Sequence, residues 1–297
     1  MKFELIIRAT SPDGEIVEHA LPAIERGEVS LETLGLPLDE GKALLRGVQE
    51  HAIQLQLNEY LAKRRACDAC GDSYRNKGRH RMRLRTLFGA LEIDSPRWRQ
   101  CQCGHGAEGA KSFSPLADLL PTHVHPELLY LETKWASLVS YGMTTAMLHD
   151  VLPLDGALSA VTLRNHVHRV AKRAELRLGA EEVSFIRGCP AQWEKLPLPN
   201  GPLTVGIDGG YVRHARKPGC FEVIAGKSVL AFERDEPETE RSKRRTCGRC
   251  FGFVHTVDDK PRRRVFEHLK SHGMAENQTV VFLSDGGDSV RNLQTYR

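Results

Sequence analysis

Two cysteine pairs bracket one short stretch and constrain it strongly. Cys67-x-x-Cys70-Gly71 opens it and Cys101-x-Cys103-Gly104 closes it, with 30 residues between the pairs. Inside, Met82, Leu84 and Thr86 alternate with Arg81, Arg83 and Arg85. Phe88-Gly89-Ala90 follows, and then Leu91 and Ile93 alternate with Glu92 and Asp94. Alternation of period two on both sides of a glycine predicts two strands joined by a turn. Two cysteine knuckles around a hairpin form a zinc-ribbon layout, because Zn²⁺ takes four thiolates at about 2.3 Å in a tetrahedron. Glycine after each pair lets a tight turn close without a Cβ penalty. Unpaired structural cysteines are the alternative. A four-thiolate site has no open coordination position, so Cys67, Cys70, Cys101 and Cys103 imply a structural Zn²⁺. Arg79, Arg81, Arg83 and Arg85 fall on one strand face, a row suited to phosphates.

Charge separates along the chain. Residues 1–60 carry 5 Lys/Arg against 11 Asp/Glu, a balance of −6, and residues 61–103 carry 11 against 4, a balance of +7. Such segregation points to a nucleic-acid partner for the basic stretch, with a solvated charged face as the alternative. Six of the eight cysteines sit in close pairs, which in a reducing compartment read as metal ligands before disulfides. A hydrophobic fraction of 40% with 27% charged residues excludes wholesale disorder. No apolar run approaches the ~18 residues of a membrane span. The opening MKFELIIRATSPDGE has acids where a signal peptide is apolar. The expectation is a soluble, cytoplasmic protein, nucleoid-associated when bound to DNA. Its 297 residues suffice for two or more domains at roughly 150 residues each.

The expected organisation runs from an N-terminal hairpin and helix (1–66) through the ribbon (67–104) and a linker (105–126). The helix spans Asp39 to Arg65 with Asp39 as N-cap, and packs without chemistry of its own. Residues 127–187 read as three helices, Glu127–Ser140, Thr144–Val151 and Ser159–Arg177, broken at Tyr141-Gly142 and Pro153–Gly156. Ser159 suits an N-cap. A short helix, a turn and a longer basic helix match a helix-turn-helix, against a plain bundle. Thr162, Arg164, Asn165 and His168 then point outward toward DNA. A proline-bearing stretch, 188–202, separates the last domain, 203–297, whose order is strand, strand, strand, helix, strand, helix.

Two of those strands end alike. Leu203–Ile207 ends in Asp208-Gly209-Gly210, with Tyr211-Val212 extending it, and Thr279–Ser284 ends in Asp285-Gly286-Gly287. Side by side, such strands bring Asp208 and Asp285 together, and two carboxylates repel unless a cation joins them. Mg²⁺ (or Mn²⁺) fits, and a two-metal site activates a water or 3′-hydroxyl for in-line phosphoryl transfer. The alternative is a pair of strand-ending turns. Cys247-x-x-Cys250 lies in the basic run RSKRRTCGRC, as a second zinc site with His255 or as an incidental, redox-sensitive pair; Lys243, Arg244 and Arg245 touch DNA or form a solvated loop. Cys189 and Cys220 read as structural.

The runs GIDGGYVR, DDKPRRRVFEHLKSHGM and VVFLSDGGDSVRNLQ, with RTLFGALEI inside the cysteine-bracketed stretch, resemble insertion-sequence transposases of the ISKra type over about residues 40–297. These are DDE enzymes with an RNase H-like domain. The resemblance implies that Asp208 and Asp285 are the first two catalytic carboxylates. It implies a third, a Glu on a helix well after Asp285, preceded by a Trp-Phe-His stretch, and neither lies within residues 1–297. The expected fold class is α+β multidomain: N-terminal helix, zinc-ribbon β-hairpin, helix-turn-helix, then an incomplete, C-terminally truncated RNase H-like α/β domain with an unpaired sheet edge. The expected function is DNA transposition: a transposase that binds element ends and, when intact, cuts and joins double-stranded DNA as a homo-oligomer with Mg²⁺. The rivals are a catalytically inactive remnant that only binds DNA, and a zinc-ribbon scaffold that binds protein.

Overall fold

The computed structural model describes residues 1–11, 14–101, 103, 112–154, 158–182, 184–186, 190–199, 201–215, 217–230 and 248–294. It is a mixed α+β protein that divides into two compact units, Met1–Ala171 and Lys172–Arg297. No described helix is long and apolar enough to cross a membrane.

The first unit opens with short strands β1 (Lys2–Phe3), β2 (Ile6–Thr10), β3 (Ile16–Ala20) and β4 (Ile24–Glu25), β2 pairing antiparallel with β3 and β1 with β4. Helix α1 (Leu38–Lys63) begins one residue before its expected cap. Pro37, at φ −57° and ψ 154°, is already extended, and its carbonyl accepts the first helical bond from Gly41 N–H at 3.0 Å. Asp39 therefore sits inside the first turn beside Glu40, where a carboxylate favours the positive end of the helix dipole rather than capping it.

Strands β5 (Arg75–Thr86) and β6 (Gly89–Arg99) form a long hairpin, with β7 (Ser112–Phe113) on the far edge of β6. Gly89, at φ +118°, takes a conformation that side chains disfavour. Thr86 Oγ1 donates to Gly89 O at 2.8 Å and accepts from Phe88 N–H at 3.2 Å, which closes the turn. Met82, Leu84 and Ile93 face inward, packing with Leu57, Ile53, Tyr60 and Leu61 of α1 and with Leu116.

Helices α2 (Pro126–Ala136), α3 (Tyr141–Val151) and α4 (Ala160–Leu178) follow, and the division between units falls within α4. Tyr141 and Gly142, expected as a break, form the first turn of α3. Ser140 caps it by accepting from Met143 N–H at 3.3 Å. Glycine is cheap there because first-turn N–H groups have no intrahelical acceptor. Ser159 caps α4 as expected, accepting from Thr162 N–H at 3.1 Å. Leu148 and Leu163 are fully buried. Between α2 and α4, the buried Glu132 Oε2 lies 2.6 Å from His166 Nδ1, while Glu132 Oε1 has no hydrogen-bond partner among the described residues.

In the second unit, α5 (Pro190–Trp193) precedes strands β8 (Leu203–Arg213), β9 (Cys220–Leu230) and β10 (Arg249–Val254). A 3₁₀ turn (His255–Val257), α6 (Pro261–Ser271), β11 (Val280–Leu283) and α7 (Asp288–Leu293) complete the described chain. The sheet order is β10-β9-β8-β11, antiparallel except for β8 with β11, which is parallel. Val265, Phe266 and Leu269 of α6 and Val290 and Leu293 of α7 pack on Leu203, Val205, Ile207 and Ile224. β10 and β11 are the edge strands among the described residues. The arginines of the DDKPRRR run are engaged within this unit. Arg264 pairs with Asp258 at 2.6 Å and Glu175 at 2.8 Å, and Arg262 pairs with Glu181 at 3.0 Å. Asp258 first, and Glu175 second, hold the Arg264 guanidinium above its usual range.

His166→Ala strands Glu132 in the interior. The free energy of unfolding in urea should fall by about 1–3 kcal/mol, because a buried polar group left without its partner costs its desolvation. Glu132→Leu with His166→Leu should recover most of the loss. A loss below about 1 kcal/mol in His166→Ala would show that water already reaches the carboxylate.

Candidate metal centre and carboxylate cleft

The chain from α1 into the hairpin builds the first knuckle. Arg64 ends the helix, Arg65 O accepts from Tyr74 N–H at 2.9 Å, and Cys67 N–H donates to Asp72 O at 2.9 Å. Gly71, at φ +75°, closes the loop by donating to Cys67 O at 2.8 Å. Cys101 and Cys103 follow β6 directly, so the hairpin's pairing brings its two ends, and with them both cysteine pairs, to one place. The Sγ atoms of Cys67 and Cys101 are 3.1 Å apart, Cys101 and Cys103 2.9 Å, and Cys67 and Cys103 3.6 Å. All four sulfurs, Cys70 included, lie within 4.8 Å of one another. None is bonded to another.

Four thiolates about a zinc ion stand roughly 3.8 Å apart, given Zn–S near 2.3 Å. The cluster spans that spacing, and its sulfurs suit a borderline-soft divalent ion. Four cysteines are thus close enough to hold a metal ion such as zinc. Electrostatics agree. The Cys101 thiol, then the amides of Ala69 and Cys70 and the Tyr74 hydroxyl, pull Cys67 down to about 6. Cys101, Cys70 and Cys67 push Cys103 far above the ordinary thiol range. One proton leaves readily and another is held tightly, so a second or third thiolate needs a cation beside it. Tyr74 is pushed up to about 12, chiefly by its hydrogen bond to Cys67. Its ring lies 6.0 Å from the buried Trp98, 5.1 Å from Phe113, and Arg65 lies over Trp98 at 5.1 Å. Through Tyr74 this ring cluster adjoins Cys67.

The second unit places the two aspartates level with each other. In the parallel pairing of β8 and β11, Gly206 lies opposite Leu283. Asp208 and Asp285 each come two residues later. Both are exposed, and both line one open cleft with Gly206, Ala225, Lys227, Cys250 and Ser284. The two Asp-Gly-Gly units differ from expectation in one respect. Asp285 does leave its strand: its Oδ1 accepts from Gly287 N–H at 3.1 Å, and Gly286 takes φ +85° to start the turn into α7. Asp208 does not end β8, which continues to Arg213 because β9 pairs with it as far as Cys220. β8 loses only its other neighbour, since β11 stops at Leu283. Asp208 Oδ1 accepts from Gly209 N–H at 2.8 Å. Gly209 is small because α7 packs close on the opposite face. A Cβ there would meet Glu222 Oε1 at 3.3 Å and Val290 at 3.5 Å, and Glu222 accepts from Ser289 Oγ at 2.5 Å.

Lys227 and Cys250 enter the cleft through strand register alone, Cys250 opposite Lys227 and Lys227 opposite Gly206. No spacing in the sequence marks Lys227, and Cys250 is marked there only as half of Cys247-x-x-Cys250. Lys243, Arg244, Arg245, Cys247, Cys189 and Gly104 lie outside the described residues. Cys220 is exposed.

Arg79, Arg81 and Arg83 project from one face of β5 and are exposed, whereas Arg85 is half-buried. Acidic residues oppose them: Arg79 lies 3.8 Å from Asp94, and Arg81 3.8 Å from both Glu92 and Asp94. On α4, Arg164, Asn165 and His168 are exposed. Thr162 is half-buried, with its hydroxyl 3.1 Å from that of Ser159, the cap. No family model and no curated protein matches the chain.

Purified after zinc-replete expression, the chain should carry about one equivalent of zinc by elemental analysis, and Cys67→Ser or Cys101→Ser less than about half. Cys67's depressed value makes its thiolate's contribution to stability complete above the ordinary thiol range and lost as pH falls through about 6. Acid should release the zinc, because protons compete with the metal for the thiolates. Full retention in Cys101→Ser would contradict the four-sulfur site.

Proposed function

We propose that this chain is an insertion-sequence DDE transposase, or the DNA-binding portion of one. On this reading residues 67–104 are a zinc ribbon, 127–187 a helix-turn-helix region, and 203–297 an RNase H-like domain. The observation that carries the reading is that Asp208 on β8 and Asp285, two residues past the end of the parallel strand β11, line one cleft. The sheet order β10-β9-β8-β11, with only the β8–β11 pair parallel, agrees with the RNase H-like arrangement that the resemblance implies.

Each aspartate spends Oδ1 on a backbone amide and has no described hydrogen-bond partner at Oδ2. Two outward carboxylate oxygens beside a cleft fit Mg²⁺ or Mn²⁺, which prefer carboxylates, waters and phosphate oxygens. Such an ion supplies Lewis acidity for an attacking water or 3′-hydroxyl and for the leaving oxygen. The backbone bonds at Oδ1 fix each carboxylate's rotation, so the pair is oriented before the ion binds. Exposed Arg164, Asn165 and His168 on α4 supply hydrogen-bonding groups for base edges and phosphates of the element ends.

The resemblance assigns a third carboxylate to a helix after Asp285. Asp288, at the first position of α7, is only one turn further on. A second reading, favoured by the exposed polar residues Arg164, Asn165 and His168 of α4, is a protein that grips DNA without cutting it.

Incubation of end-labelled element-end duplexes with the chain, with and without Mg²⁺, separates the readings. The transposase reading expects Mg²⁺-dependent cleavage that falls at least about 100-fold in Asp208→Asn and in Asp285→Asn. Tight, salt-dependent binding with no cleavage selects the DNA-binding reading. Cleavage unchanged by Asp208→Asn removes the carboxylate assignment, and absence of DNA binding removes both readings.

A further inference from the structure

The hairpin carries a second set of cations on its other face. Arg75 and Arg99 stand directly opposite each other in the β5–β6 register, and Arg97 lies opposite Gly78. The register shifts between Asn76 and Gly78, so Lys77 is an extra residue there. Asn76 Oδ1 accepts from Gly78 N–H at 3.1 Å and holds the bulge. Lys77 Nζ donates to Ser112 Oγ at 3.4 Å, and Ser112 pairs with Arg99, which places the ammonium on the Arg99 side. Among the described residues, nothing lies within 4 Å of where a Gly78 Cβ would stand, opposite Arg97.

All four cations are exposed. Unlike Arg79 and Arg81, none has an acidic partner among the described residues. Like charges directly opposed across a ladder destabilise it. Backbone pairing and the bulge nevertheless hold Arg75 and Arg99 together. A polyanion relieves that repulsion, and duplex DNA offers one charge per about 1.7 Å of axis. Single-stranded binding needs exposed rings on which bases stack. The rings at this end, Trp98, Tyr74 and Phe113, are buried or half-buried and pack on one another.

We infer that Arg75, Lys77, Arg97 and Arg99 form the ribbon's contact surface for the phosphate backbone of duplex DNA, in place of the row that contains the acid-paired Arg79 and Arg81. This rests on the DNA-binding reading above and specifies the surface that serves it.

The test is fluorescence anisotropy of the full, zinc-loaded chain on a random-sequence duplex across a range of NaCl. In Arg75→Ala/Arg97→Ala/Arg99→Ala, the slope of log affinity on log salt should shrink by about 1 per residue, with binding at least about tenfold weaker at low salt. Arg79→Ala/Arg81→Ala/Arg83→Ala should change the slope by less than about 1 in total. The Lys-for-Arg version of the first triple should keep the wild-type slope. Zinc content checks that each variant retains its fold. Arg97→Ala, opposite a glycine, is the mildest single change and should alone lower the slope by about 1. Equal losses in the two triples, or a larger loss in the second, overturn the inference while leaving DNA binding intact. A wild-type chain with no salt slope overturns the DNA-binding reading itself.

Discussion

The parallel pairing of β11 with β8 is the interaction on which the candidate cleft depends. It covers four residue pairs, Leu203 to Gly206 against Val280 to Leu283. Side chains alternate along a strand, so a slip of one residue would turn Asp285 to the helix-covered face and leave Asp208 alone. The register is pinned from that covered face. Leu203, Val205 and Ile207 are buried under α6 and α7, and Phe282 packs at the edge of the same core. Hydrophobic burial on one face therefore fixes where the two carboxylates stand on the other.

The cysteine cluster follows the same logic in the first unit. Antiparallel pairing of β5 with β6 returns the chain to its starting point, and the α1 core of Leu57, Leu84 and Ile93 holds that pairing. A metal ion at the sulfurs would then lock the open end, as the Gly89 turn locks the other. The bulge at Lys77 lies near this open end. It shifts the register, so that cations on either side of it reach opposite faces of the hairpin.

Much of this was legible in the sequence because it is local. Alternation around Gly89 gave the hairpin, helical spacing gave α1 to α4, and the order of strands and helices after residue 203 was readable from apolar runs. What stayed hidden depends on partners distant in the chain. Asp208 looked like the end of a strand, yet β9 carries β8 on to Arg213. Gly209 looked like a turn residue, yet it is small to admit Glu222 and Val290. The arginine row was visible by period, but its compensation by Glu92 and Asp94 needed the cross-strand register. Glu132 and His166, 34 residues apart, carry no signal of their pairing.

The central claim is that Asp208 and Asp285 share a divalent cation. Titration of the zinc-loaded chain with Mn²⁺, followed by electron paramagnetic resonance of the free ion, tests it directly. The account predicts a saturable Mn²⁺ site in the wild-type chain that is lost in Asp208→Asn and equally in Asp285→Asn, with zinc content unchanged. The same Mn²⁺ stoichiometry and affinity in all three proteins would contradict it.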